Sequence, residues 1–320
     1  MITILRPALQ TTVQDRGRRG ARHLGVGQGG AVDQLALALG NALVGNPDQA
    51  AGVEMCLPPA LMRFDADCVI ALTGTDCAAR LDGVTLPVAQ PRQARAGMTL
   101  ELSRPSSGAR AYLCARGGID VPALLGSRST DLQTQSGGFG GRMIRRGDVL
   151  HVCAIESSSP PATHALAAAA ALPASLCWPP SETPIRVMPA PEFDEFAPAS
   201  RAVLVESAWK VSAQSNRTGL RLEGPALTRV ERHEMKSHAV FPGVIQVPDA
   251  GAPIVLMADA HTTGGYPRIA TVIAADQWRL AQVPPGASLR FSLCTRVDAL
   301  KAWQQHQASL QDFKRNLHAH

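Results

Sequence analysis

The residues best suited to chemistry gather where apolar runs break. In "MADAHTTGGYPRIA", residues 257–270, Asp259, Thr262, Thr263 and Tyr266 stand around the double glycine Gly264 and Gly265. A carboxylate there can orient an amide or hold a cation-bound phosphate, and threonine hydroxyls can donate hydrogen bonds. The glycines permit positive φ and a close approach of backbone to ligand. Tyr266, one of two tyrosines in the chain, can stack on a planar ring or donate through its hydroxyl. A plain hydrogen-bonded turn would use the same residues. Earlier, "TTVQDRGRRG", residues 11–20, sets Asp15 beside Arg16 and Arg18, a grouping suited to gripping a carboxylate or phosphate, or else a surface ion pair. "SAQSNRTGLRLEG", residues 212–224, offers Asn216, Arg217 and Arg221 around a turn. "GGIDVPALLGSRSTD" and "SGGFGG", at 117–131 and 136–141, supply backbone amides and hydroxyls, or simple turn punctuation.

Several chemistries are disfavoured. Lysine occurs only at Lys210, Lys236, Lys301 and Lys314, none in a GxxxxGK[ST] loop, and no HExxH, GxSxG or helix-opening GxGxxG is present. Any phosphate handled here must meet arginines and backbone amides, or a partner's charge. His233, His238 and His261 lack metal-ligand spacing, so no metal is expected. The seven cysteines never form CxxC and lie in apolar surroundings, which reads as buried, reduced thiols. A net charge of +5 and the basic stretch "DRGRRGARHLG" invite nucleic acid. Aromatics make up only 4% and do not interleave with the arginines, so a stacking platform is missing.

The elements that must position these residues are mostly strands. With 320 residues and 45% hydrophobic composition, two domains are expected. "ESSSPPATHALAAAAALPASLCWPPSE" reads as a Ser/Pro/Ala-rich linker over 156–182, dividing a first β-rich body at 1–155 from a second at 183–320. In the first, "AVDQLALALGNALVGNP" is the clearest helix, capped by Asp33 and ended by Gly45. "CVIALTG", "GMTLELSR", "ARAYLCARGG" and "GDVLHVC" have strand length and pattern. The second repeats that style with "PIRVMPAPE", "WKVSAQS", "GLRLEG", "VIQVPDAGAPIVLM", "IATVIAAD" and "ASLRFSLC", then ends in a helix with Leu300, Trp303, Leu310, Phe313 and Leu317 near one stripe. A faint echo links residues 43–55 with 245–257. With neither a basic, apolar leader nor about 18 uninterrupted apolar residues, the chain is expected to be soluble and cytoplasmic.

Taken together, "TTVQDRGRRG", "GAVD", "LVGN", "LTGTDCAARLDG", "GGIDVPALLGSRSTDL", "QSNRTGLRLEG", "SHAVFPGVIQVP" and "GAPIVLMADAHTTGGYPRIATVIAAD" resemble the biotin-dependent carboxyltransferase family. That family includes the C subunit of the ATP-dependent 5-oxoprolinase, also called allophanate hydrolase subunit 2. The resemblance spans nearly the whole chain and implies a mainly β fold of two cyclophilin-like β-barrel domains with a few helices. It implies a hydrolase subunit, inactive without its partners, which opens 5-oxoproline to L-glutamate. The implied partners are the B subunit, of the KipI or allophanate hydrolase subunit 1 type, and the A subunit. ATP is the implied cofactor, bound by or with a partner. An alternative is the carboxyltransferase subunit of a urea carboxylase, with biotin as cofactor. Another is a KipA-like regulatory protein that binds a kinase inhibitor. The chain has no biotin carboxylase region and no Met-Lys-Met biotinylation signal, which favours the 5-oxoprolinase reading.

On this basis Asp259, Thr262, Thr263 and Tyr266 are the expected catalytic residues. Asp15, Arg18, Asp33, Asn46, Asn216, Arg217, Arg221, Gln246, Gly264, Gly265 and Gln282 are expected to bind substrate. A pocket drawing polar residues from both halves is expected between the barrels or at a subunit interface.

Overall fold

The computed structural model describes residues 1–154, 172–173, 176–177, 183–231 and 233–318. Most of the 156–182 linker therefore lies outside the described residues. The chain is mainly β and divides into two compact units that are not continuous in sequence: residues 1–19, 29–176 and 309–320 form one, and residues 20–28 and 177–308 the other.

In the first unit, alternating apolar residues build two antiparallel sheets. One has seven strands in the order Ile119–Asp120, Val149–Val152, Ile2–Arg6, Ala60–Phe64, Thr99–Leu102, Arg80–Leu81 and Val84–Thr85. The other has five, ordered Gln10–Gln14, Gly52–Cys56, Arg110–Ala115, Cys68–Gly74 and Pro91–Ala94. Ile2, Ile4, Met62, Phe64, Leu100 and Leu150 from the first sheet share one core with Val13, Val53, Met55, Ile70, Leu72 and Leu113 from the second. Helix α1 (Gln34–Leu43) is buried along nearly its whole length rather than on one face. It presses onto the five-stranded sheet, since a Cβ added at Gly40 would stand 2.6 Å from the Cys114 Sγ. The Asp33 side chain caps it by accepting from the Ala36 N–H at 2.8 Å, and Gly45 at φ 73° follows its end.

The second unit is built on an eight-stranded sheet. Its order is Ser288–Leu289, Trp209–Val211, Gly219–Glu223, Ile254–Leu256, Val244–Gln246, Arg268–Val272, Ile185–Pro189 and Phe291–Leu293. Its two edge strands are separated in sequence by Arg290 alone, so the ends of the sheet meet and the barrel is nearly closed. The closing pairing, Ile185–Val187 with Phe291–Leu293, is parallel. A small ribbon pairs His238–Ala239 with Thr263–Gly264. Helices α2 (Pro198–Glu206), α3 (Gln277–Leu280) and α4 (Arg296–His318) complete the chain. The sequence reading omits α2, although Pro198 at its first turn is a helix-start signal. The last turns of α4 count with the first unit, where Lys314 pairs with Asp48 and Phe313 is buried.

The echo between 43–55 and 245–257 covers helix end and strand in one case and two strands in the other. No helix among the described residues is long and apolar enough to cross a membrane.

Candidate functional site

The break at 257–268 is held from beneath by a buried ion pair. Arg217 Nε and Nη2 donate to the two Asp259 carboxylate oxygens at 2.8 and 2.9 Å, and the side chains are only 3% and 4% exposed. Two planar groups meeting through parallel hydrogen bonds fix each other's orientation. Backbone bonds reinforce the pairing: Asp259 N–H donates to the Arg217 carbonyl and Met257 N–H to the Thr218 carbonyl, each at 2.9 Å. The Asn216 side-chain oxygen shapes the turn by accepting from the Thr218 and Gly219 N–H groups. Arg217 and Asn216 thus belong to the frame of the loop. Arg221 projects outward from its strand, and Gln282 is buried beyond α3; neither belongs to this frame.

Gly264 lies across the ribbon from His238, and a Cβ on it would stand 2.8 Å from Gln246 Nε2. The glycine therefore leaves room for the buried Gln246 amide, which donates to the Tyr266 carbonyl at 3.2 Å. Beyond the glycines, Arg268 anchors the loop's exit, with Nε and Nη2 donating to Glu192 at 2.7 and 2.6 Å. Burial alone would raise the Glu192 carboxyl, but the side-chain and backbone hydrogen bonds from Arg268 outweigh it and hold the group below its ordinary value. Above this frame Thr263, Gly265 and Tyr266 are exposed and Thr262 half-buried. The loop is thus a rigid seat presenting hydroxyls, a glycine backbone and an aromatic face to solvent.

Residues 20–28 belong to this unit, which the sequence reading does not anticipate. Arg22 donates to the Val240 carbonyl, and a Cβ on Gly27 would stand 3.3 Å from the Ala260 carbonyl oxygen. The short stretch lies against both sides of the ribbon's loop, so part of the basic run serves as packing.

In the first unit, Asp15 and Arg18 meet the loop at 127–129. Asp15 accepts from Gly17 N–H at 2.8 Å, Ser127 Oγ at 2.6 Å, Ser129 Oγ at 2.5 Å and Arg128 N–H at 2.5 Å. With four donors on its two oxygens, Asp15 organises the loop rather than pairing with Arg18. Arg18 donates through Nη2 to the Ser129 carbonyl at 2.5 Å. Asp33 caps α1, and its N–H donates to the Tyr112 hydroxyl, which donates to the buried Glu54. Asn46 bonds the Ala115 carbonyl, the Gly117 N–H and Asn41. These contacts make Asp33 and Asn46 parts of the local frame, and the Ala31 N–H, two residues before Asp33, donates to the Asp15 carbonyl at 2.8 Å. The sequence reading also missed Glu54, Tyr112 and Gln14. All three are buried polar residues on strands, and a polar residue in an apolar strand was the available signal.

Among the described residues no three His, Cys, Asp or Glu side chains gather as a metal site. A phosphate does not suit the start of α1, where the Asp33 carboxylate already occupies the Ala36 N–H and Glu54 accepts from the Val32 N–H.

Comparison with known proteins gives this arrangement a family. The family described as carboxyltransferase domain, subdomain A and B, matches residues 24–293. The chain is 43% identical to the C subunit of 5-oxoprolinase from Escherichia coli, over 99% of both chains. It is 33% identical to urea amidolyase of Saccharomyces cerevisiae over 91% of this chain but 16% of that protein. The crystal structure of Kluyveromyces lactis urea amidolyase superposes with a TM-score of 0.88 at 28% identity, covering 98% of this chain and 20% of that one. With a family match across most of its length and a near-full-length relative, this chain belongs to the carboxyltransferase-domain family.

Proposed function

We propose that the protein is the C subunit of an ATP-dependent 5-oxoprolinase, opening 5-oxoproline to L-glutamate in the cytoplasm together with the A and B subunits. The observation that carries this reading is the match to the 5-oxoprolinase C subunit of Escherichia coli over 99% of both chains. The urea amidolyases, by contrast, share only a small part of their length with this chain. The 257–268 loop suits a small cyclic amide: Thr262 and Thr263 donate to its polar edge, Tyr266 covers the ring, and Asp259 acts through Arg217 to hold the seat. Gln246 and Gly264 set the loop's height.

A lactam is a poor electrophile, and its activation by phosphoryl transfer depends on positioning and charge stabilisation. The start of α1 does not suit a nucleotide phosphate, and ATP is assigned to a partner in this reading. Mixing the purified chain with the A and B subunits should release glutamate from 5-oxoproline with ATP consumption. Equal release when this chain is omitted refutes the reading.

The second reading, transfer of a carboxyl group between biotin and urea, is favoured by the 0.88 TM-score with a urea amidolyase. It predicts urea-dependent loss of carboxyl from carboxybiotin in the presence of this chain, with no need for 5-oxoproline.

A further inference from the structure

Arg18 is one of the largest fully buried side chains, 1% exposed, and it carries a permanent charge. Through Nη2 it donates to a neutral group, the Ser129 carbonyl. Nη1 is sealed from solvent with no partner, and no carboxylate pairs with Arg18 among the described residues. Asp15, the acid nearest in sequence, is held by Gly17, Ser127, Arg128 and Ser129. Elsewhere the buried arginines are matched with acids: Arg217 with Asp259, Arg110 with Glu54 and Arg279 with Asp276. A buried cation without a counter-charge is costly, and a fold that needed only packing there would be served better by an apolar side chain.

What lies over the guanidinium is glycine backbone. A Cβ at Gly137 would stand 2.2 Å from Arg18 Nη2, and Gly137, Gly138, Gly140 and Gly141 all have φ between 51° and 69°. The loop is packed in place, with Gly138 against Thr130 and Gly141 against the Gln135 backbone, Ser136 bridged to Asp131 and Phe139 on the core, so an anion reaches Arg18 only when the 137–141 segment shifts. From this the structure assigns a carboxylate seat to Arg18, in the first unit, under the 137–141 loop. The planar guanidinium offers its unpartnered Nη1 to a planar anion. This rests on the function proposed above for the choice of ligand: 5-oxoproline carries a carboxylate, and a group in carboxyl transfer is one.

The test uses the full chain, alone and assembled with the A and B subunits, and measures binding calorimetrically. The probes are 5-oxoproline, bicarbonate and 2-pyrrolidinone, the same lactam ring without its carboxylate. 5-Oxoproline should bind roughly tenfold or more tightly than 2-pyrrolidinone. Arg18→Met should remove that preference by roughly tenfold to a hundredfold while melting no lower than the native protein, because it deletes an unmatched buried charge. Arg18→Lys, which keeps the charge without the planar fork, should fold and lose most of the preference.

Binding of bicarbonate alone would identify the transferred carboxyl as the source; binding of 5-oxoproline alone would identify the substrate's own carboxylate. Native protein that binds 5-oxoproline no better than 2-pyrrolidinone and does not bind bicarbonate, or binding of these anions unchanged in both variants, overturns the seat. Arg18-dependent binding without glutamate release in the assembled mixture would sink the functional reading and leave the seat standing.

Discussion

Replacing Asp259 by alanine removes one half of a buried ion pair. Arg217 is 3% exposed and donates twice to the missing carboxylate, so the variant leaves a guanidinium charge in the interior. Breaking a buried pair in this way costs about 3–5 kcal/mol. For a unit of this size that lowers the unfolding transition by roughly 6–20 °C. The change should therefore weaken the second unit as well as the 257–268 loop, and lost activity in Asp259→Ala alone is no proof of contact with substrate. Differential scanning calorimetry on the native chain, Asp259→Ala, Arg217→Met and the double variant Arg217→Met/Asp259→Leu separates the effects. The double variant should recover much of the loss, since both charges leave together, and an assembled-activity assay on it then reports what the loop needs. If Asp259→Ala melts within about 1 °C of native, the pair is not what holds this loop.

Other expectations follow from single contacts. Gly264→Ala should push the end of Gln246 away from its bond to the Tyr266 carbonyl, costing about 1 kcal/mol because only a flexible side-chain tip moves; glutamate release by the assembled enzyme should nevertheless fall. A thiol reagent at about pH 8 should label Cys177 fastest, because it is exposed, while burial pushes the Cys77 and Cys114 thiols up to about 12; Cys177→Ser should remove the fast phase. Glu192 and Asp148 both have carboxyls held below their ordinary values. Their contribution is complete above the unfolded-state values near about 4 and is lost as pH falls through the lower folded values. Urea midpoints should thus be level down to about pH 5 and drop below it, and Arg268→Met should shrink that drop.

The sequence shows α1 clearly because its cap, apolar spacing and terminal glycine agree, and Asp33 does cap it. Strands such as Arg110–Ala115 and Gly219–Glu223 were legible for the same reason: short apolar or alternating runs fenced by turn residues. What stayed hidden depends on long-range partners. Nothing local in "ARHLG" says that Arg22 will meet the Val240 carbonyl, which lies far along the chain. Arg217 looks like any exposed turn arginine until the fold buries it against Asp259. Arg18 sits in a run that reads as a basic patch, yet it is among the most buried residues. Charge and spacing located the loops; which of their residues frame the loop and which face solvent is decided by packing that a linear pattern does not carry.

Because the two ends of the eight-stranded sheet are joined through Arg290, that sheet has almost no open flank on which a foreign strand could add, and edge-to-edge aggregation through it is closed off once it has formed. The protection arrives late. Ile185 waits for Phe291, about a hundred residues further along the chain, so closure comes only after nearly all of that unit has been synthesised. Until then the strand Ile185–Pro189 is an exposed apolar edge. A chain interrupted or truncated before Phe291 should therefore need chaperone cover that the complete chain does not.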